Sequence, residues 1–177
     1  GDYMLIQQDI VEQREHYDAV SFGGWSIDLH PADGVFSEKP GCNQWHSKGI
    51  YQIPYRSLYS KNVDNLFLAG RIISASHVAF GSTRVMATCA NSAQAVGMAA
   101  KICFENGLKT NELSSKDRIS YLQERLIYSG QYIPNVVVND RENLMNQAKL
   151  TASSQLILSE IPPNGPLVDL IHSAAQM

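Results

Sequence analysis

Two short runs hold the residue types that could do chemistry. Asn65-Leu66-Phe67-Leu68-Ala69-Gly70-Arg71 reads as an apolar strand, buried from Leu66 to Ala69, that stops at a glycine and an arginine. Gly81-Ser82-Thr83-Arg84-Val85-Met86 reads as the start of a small-residue helix, with Ser82 or Thr83 as its cap. A strand end, a glycine turn and a helix N-terminus together hold polar or anionic ligands, because free N–H groups and a positive dipole end converge there. Arg84 adds a fork able to grip an acidic substrate in bidentate fashion. His30 and His77 are of the type that exchanges protons near neutral pH. Tyr55 and Arg56 follow a strand bent by Pro54 and are candidates for the same cavity. Each of these has a plainer reading: a turn, a solvated arginine, a capped helix, a hydrogen-bonding histidine.

The elements that must position these groups are read from pattern. Apolar spacing at Ile6, Ile10 and Tyr17 predicts a short amphipathic helix around Gln7 to Glu15. Ala19 to Phe22 is strand-like and ends at Gly23-Gly24, and Trp25 to Leu29 alternates as a second extended piece. His30-Pro31-Ala32-Asp33-Gly34 is turn chemistry, and residues 34–49 read as surface loop. Tyr51 to Tyr55 is a strand whose proline marks an edge or a kink. The main helix is expected over Thr83 to Asn106, stopped by Gly107 and rich in small residues such as Ala90, Ala93, Ala95, Gly97 and Ala99. Small side chains let a helix approach a sheet or a ligand closely. Ser114-x-x-Asp117 has the spacing of a capping box, and Ile119, Leu122 and Leu126 give the helix it opens an apolar stripe ending at Ser129-Gly130. Val136 to Val138 is a strand or an extended linker. Arg141 to Leu150 is a weak helix, and Ala152 to Ile161 is a strand before the turn cluster 162–166.

Bulk properties narrow the function classes. The chain has 177 residues and a net charge of −3, with no basic run, which argues against nucleic acid as a partner. Ala93 to Phe104, the longest low-polarity stretch, is broken by Lys101 and is too short to span a membrane. The opening Gly1-Asp2-Tyr3-Met4 is acidic and lacks the basic start of a signal peptide, and localisation is not legible. Cys89 and Cys103 lie about 21 Å apart if they share one helix, at ~1.5 Å per residue, too far to bridge. Cys42 and His46 have no second ligand pair nearby, so no metal is expected.

The stretch from Gly23 to about Gly130 resembles the C-terminal half of a family of FAD-dependent oxidoreductases whose flavin domain closes with the pattern NLxxAGR…S.H…GS.RVM.TC….GQAAG.AA. Asn65 to Arg71, Ile73 to His77, Gly81 to Cys89 and Ala93 to Ala100 carry the likeness, with Gly23 to His30 and Ile53 to Arg56 upstream. The resemblance implies a mixed α/β (or α+β) fold: a fragment of a flavin-binding Rossmann-like domain with a few strands, a long small-residue helix and a following helix. It implies residues 1–130 as the C-terminal portion of the oxidoreductase domain, and 131–177 as a linker and the start of a β-rich region. Gly70 would lie beside the ribityl and phosphate region of FAD, and Arg71 would offer charge to the phosphates or solvate the strand end. Gly81, Ser82, Thr83, Arg84 and Val85 would meet the flavin pyrimidine edge. His30 and His77, with Arg56, would face an unknown small-molecule substrate as proton donors or orienting groups.

The sequence also departs from the family. Its dinucleotide fingerprint, G-x-G-x-x-G after a first strand, is absent, and Gly23-Gly24 does not replace it. The chain therefore reads as a piece that begins inside the flavoprotein, with FAD expected in the intact parent and absent from this piece. Self-association through an exposed apolar edge is expected where the remaining strands would pack. The alternative reading is a non-catalytic α/β module that binds a partner or a glycan.

Overall fold

The strands are short, and among the described residues they pair as two separate two-stranded antiparallel ladders. The computed structural model describes residues 1–138, 144, 147–149 and 151–154. Helix α1 spans Gln7–Val11, and strands β1 to β4 span Ala19–Gly23, Ile27–Leu29, Asn43–Trp45 and Tyr51–Pro54. Helices α2, α3 and α4 follow at His77–Thr83, Met86–Asn106 and Lys116–Tyr128. The fold is mixed α/β, with few strands, a long small-residue helix and a helix after it, compatible with a piece of a flavin-binding domain. The chain divides into two compact units, Gly1–Val136 and Val137–Met177. In the second, the Gln147 N–H donates to the Leu144 carbonyl at 3.1 Å. The expected helix over 141–150 and strand over 152–161 lie largely outside the described residues.

In the first unit, β1 pairs antiparallel with β4, setting Ser21 opposite Ile53, Phe22 opposite Gln52 and Gly23 opposite Tyr51. β2 pairs antiparallel with β3, so part of the stretch expected as loop is a strand. Its residues are all exposed and unperiodic, which hid it. The strand expectation for 51–55 is met, and its proline acts as the kink. Pro54 closes the ladder opposite Ala19, and a tight turn of 3-10 helix follows over Tyr55–Ser57.

Small residues let α3 lie on β1. Ser92, Ala95 and Ala99 are buried on that face, and the Ser92 and Ser21 hydroxyls meet at 3.1 Å. Helix α4 packs beside α3 and against β1, burying Ile119, Leu122 and Leu126. The Gln123 amide donates to the Tyr17 and Ala19 carbonyls, and the Gln131 amide to the Val20 carbonyl. Leu5, Ile10, Ile53, Leu58 and Leu113 complete the core.

Several expectations are corrected. The segment Leu66 to Ala69 is not a buried strand: Leu66 is 45% exposed. The segment folds back on residues 58–60 through a single antiparallel bridge, Tyr59 to Phe67. Two backbone bonds tie it to that stretch, Ser60 N–H to Leu66 O at 2.9 Å and Leu68 N–H to Leu58 O at 2.8 Å. The long helix does not start at Thr83. Gly81, Ser82 and Thr83 form the last turn of α2, and the chain breaks at Val85, which is extended at φ −71° and ψ 147°. Helix α2 went unread although its signal was present: Ser76 stands before the apolar Val78-Ala79-Phe80, and its hydroxyl accepts from the Ala79 N–H. The cap of α4 is Ser115 rather than Ser114, and no side chain caps it. The Ser114 hydroxyl donates instead to the Asn111 carbonyl, inside the preceding turn. Helix α1 stops at Val11, four residues early. Of the two readings of residues 136–138, a strand or a linker, the strand is absent.

Candidate functional site

A glycine, a tyrosine and a serine fix the place where the two chemical runs meet. A side chain at Gly23 would collide with the Tyr51 ring across the ladder, so glycine there leaves room for the ring to lie over β1. The Tyr51 hydroxyl reaches the Ser82 hydroxyl at 2.7 Å, and Ser82 donates to the Trp25 carbonyl at 2.5 Å. Because a carbonyl only accepts, the single Ser82 proton is committed there and Tyr51 is the donor to Ser82. Burial pushes the Tyr51 phenol well above its ordinary range, which keeps that proton in place. Gly81, in the same turn, lies against β2: a Cβ would come 2.9 Å from the Asp28 carbonyl oxygen and 3.0 Å from Leu29. The last turn of α2 is thus seated directly on β2.

That seating delivers Arg84 to the end of β2. Its Nη2 donates to Asp28 Oδ2 at 2.9 Å and lies 2.8 Å from His30 Nε2. His30 Nδ1 lies 2.9 Å from the Gly41 carbonyl oxygen. The Arg84 carbonyl accepts from Arg71 Nε at 3.0 Å, which ties the first run to the second. Gly70 opens the turn that presents Arg71 and sits at φ +65°, a left-handed conformation that favours glycine. The first hydrogen bond of α3 runs from the Cys89 N–H to the Val85 carbonyl. The N–H groups before it have no acceptor within the helix, and the positive dipole end lies beside Arg84. Two buried polar atoms here have no hydrogen-bond partner: Thr83 Oγ1 and Asp28 Oδ1.

The structure therefore brings together Gly70, Arg71, Gly81, Ser82, Thr83, Arg84, Val85 and His30. It leaves two candidates elsewhere. His77 is the exposed first residue of α2, separated from Arg84 by the length of that helix, about 10 Å at ~1.5 Å per residue. Arg56 makes its contacts in another cluster. Its backbone N–H, Nε and Nη2 all bond Asp18, at 2.9, 3.0 and 3.1 Å, and its guanidinium stacks on the rings of Tyr3 and Tyr17. The hydrogen bond to Asp18 strengthens the hold of Arg56 on its proton. In that cluster the Tyr3 phenol is pushed up to about 12 by burial and by its bond to Asp9, and burial lowers the proton affinity of His16. The Tyr55 hydroxyl is likewise occupied, donating to the Thr110 carbonyl.

Asp28 is the site residue that the sequence reading missed. Its only signal was a carboxylate in the alternating run Ile27-Asp28-Leu29, next to His30. Among the described residues, no group of His, Cys, Asp and Glu is arranged to hold a metal, and all three cysteines are free. Nor is any described helix long and apolar enough to cross a membrane.

Comparison with known proteins finds no match among curated proteins or solved structures. A profile of the family described as FAD dependent oxidoreductase does match, over residues 1–126. That match covers most of the chain and includes every residue gathered at the α2–α3 junction, so the chain belongs to the FAD-dependent oxidoreductase family.

Proposed function

We propose that this chain supplies the part of an FAD-dependent oxidoreductase that closes one side of the flavin site, at the junction of α2 and α3. The observation that carries this reading is the meeting of the two runs: Arg71 Nε on the Arg84 carbonyl, beside the free N-terminus of α3. FAD suits these residues in two respects. A positive helix end flanked by two arginines favours an electron-rich or anionic group. The partnerless Thr83 Oγ1 gives a buried hydroxyl for a polar ligand atom to meet. Gly70, Arg71, Thr83, Arg84 and Val85 would hold the cofactor, while Gly81 and Ser82 brace the turn from behind. When bound, FAD would exchange a hydride or electron pair with a small organic substrate. His30, exposed at the end of β2, is the residue that would orient that substrate or move its proton. His77 and Arg56 take no part in this reading.

The glycine-rich turn that would hold the pyrophosphate is not in this sequence. We therefore assign residues 1–130 to the closing portion of a Rossmann-like flavin domain and 131–177 to a linker and further region, with the rest of the FAD site in the parent protein. The chain alone then holds FAD weakly. The test is a fluorescence titration of FAD with the purified chain. Weak, salt-sensitive quenching that falls severalfold in Arg84→Gln is expected. No response at any concentration would overturn the contact with FAD, and stoichiometric flavin on the purified chain would overturn the claim that its other anchor lies elsewhere.

One observation favours the second reading, an interaction module: α3 carries Met86 at 80% and Phe104 at 90% exposure. In the first reading this face packs on the remainder of the domain or on another copy, and light scattering should show self-association. A partner-binding module would stay monomeric and ignore FAD.

A further inference from the structure

The contacts of His30 fix where its proton lies. The Gly41 carbonyl can only accept, so Nδ1 at 2.9 Å carries the hydrogen. Arg84 Nη2 can only donate, so Nε2 at 2.8 Å presents its lone pair. His30 is thus the neutral Nδ1–H tautomer, and one guanidinium nitrogen serves both its Nε2 and Asp28 Oδ2. Asp28 Oδ2 is itself 3.5 Å from His30 Nε2, so the carboxylate lies within reach of either cation. Asp28 is buried in β2 and cannot turn to solvent, and its other oxygen has no partner. The charged groups facing His30 are therefore Asp28 from β2, just before it in the chain, and Arg84 from the α2–α3 junction, with Arg71 behind on the Arg84 carbonyl.

We infer that Asp28 and His30 form a proton-operated latch on Arg84. With His30 neutral, Nη2 is held between Nε2 and Oδ2 and the guanidinium is turned inward onto β2. A proton taken from solvent onto Nε2 removes the acceptor and sets two N–H donors against each other. The new Nε2–H bonds Asp28 Oδ2, and the imidazolium replaces the guanidinium as the counter-ion. Arg84 remains tied by its carbonyl to Arg71, but its side chain is released at the start of α3. There it meets an anionic ligand group, a phosphate or carboxylate. Only the identity of that ligand rests on the flavin-site reading. The latch itself rests on the three side chains.

The experiment is nitrogen NMR of the chain labelled at histidine and arginine, followed through a pH titration. Neutral His30 is expected as Nδ1–H, with the Arg84 side-chain N–H signals losing their protection from exchange in step with His30 protonation. His30→Gln keeps an acceptor but cannot take the proton, and its Arg84 signals should stay flat with pH. Asp28→Asn should leave His30 titrating while uncoupling Arg84 from it. An Nε2–H tautomer, or Arg84 signals indifferent to His30 protonation, overturns the latch. Sulfate, whose charge is constant over this range, is the ligand probe: its affinity should rise severalfold on acidification in the unmodified chain and not in His30→Gln. Equal rises in both chains would overturn the release of Arg84. A chain that shows the coupled titration yet ignores FAD keeps the latch and loses the flavin reading.

Discussion

Asp18–Arg56 and Asp28–Arg84 join the same two residue types in opposite ways. The first pair is bidentate, with a further bond from the Arg56 backbone and aromatic rings on the guanidinium. Asp18 is fully buried, and both of its carboxylate oxygens accept from Arg56. The second pair is held through one nitrogen, which is shared with a histidine, and one oxygen of Asp28 is left without a partner. An arginine whose fork is filled by protein locks the chain. An arginine held at one point, beside a free helix end, can be given to a ligand. Both arginines look alike as letters in the sequence, and only their partners tell them apart.

The largest effect is expected at the first pair. Asp18→Asn leaves Arg56 without its counter-ion beneath two rings, and should cost about 3 kcal/mol in urea unfolding, the range for breaking a buried pair. A loss below about 1 kcal/mol would mean that the first pair locks no better than the second. Gly81→Ala comes next. Its Cβ must displace the Asp28 carbonyl, a β2 backbone atom 2.9 Å away, which should cost about 1–3 kcal/mol as overpacking. Because the displaced strand carries Asp28, the same variant should lose the coupled signature in NMR, the Arg84 side-chain N–H signals no longer following His30. An unchanged signature would show that α2 does not set the second pair.

Acid should act on the first region through His16. Its Nε2 is buried 3.8 Å from Asp9 Oδ1 with no hydrogen bond, and burial lowers its proton affinity below the ordinary value of 6.5. Below that pH the unfolded chain binds a proton at residue 16 that the folded chain refuses, so the unfolded state binds more protons and stability falls as pH falls. The contribution is fully present above about 6.5 and is lost below it. Thermal unfolding of His16→Gln should show a flatter dependence across this window, and an identical slope would remove His16 from the account. The smallest effect is expected for Asp28→Asn. The pair is held at one point and the Arg84 side chain is 31% exposed, so it can turn to water when the charge of Asp28 is removed; the loss should stay below about 1 kcal/mol, and chemical denaturation should barely change while the link between Arg84 and His30 disappears.

Much of the fold was legible where a local pattern had a local cause. The apolar run of β1, the kink at Pro54, the small-residue face of α3 and the stripe of α4 all appear as read. The buried strand at Leu66 to Ala69 did not, because an apolar run reports only that something could cover it. In this chain a tight turn sends it back along 58–60 with one face open. The single long helix from Thr83 failed for another reason. Seen locally, Gly81-Ser82-Thr83 looks like a cap. In the fold it is the end of α2, because Gly81 packs on the Asp28 backbone and Ser82 bonds a carbonyl from residue 25. Both partners lie more than 50 residues away in the chain, beyond any window of pattern.

By itself, the sequence determined the family and the two runs that meet at the candidate site, since motif order and spacing are properties of the chain alone. It also determined the absence of a glycine-rich pyrophosphate turn. Tertiary structure alone decided which arginine is held at one point and which is locked, and it set Asp28, which no motif marked, against Arg84. The physical reason is that an arginine's role depends on the carboxylate it meets, on how many of its donors are filled, and on how deeply the pair is buried. Asp18 lies 38 residues before Arg56, and Asp28 lies 56 before Arg84. Only the folding of β1 onto β4, and of α2 onto β2, brings each pair together.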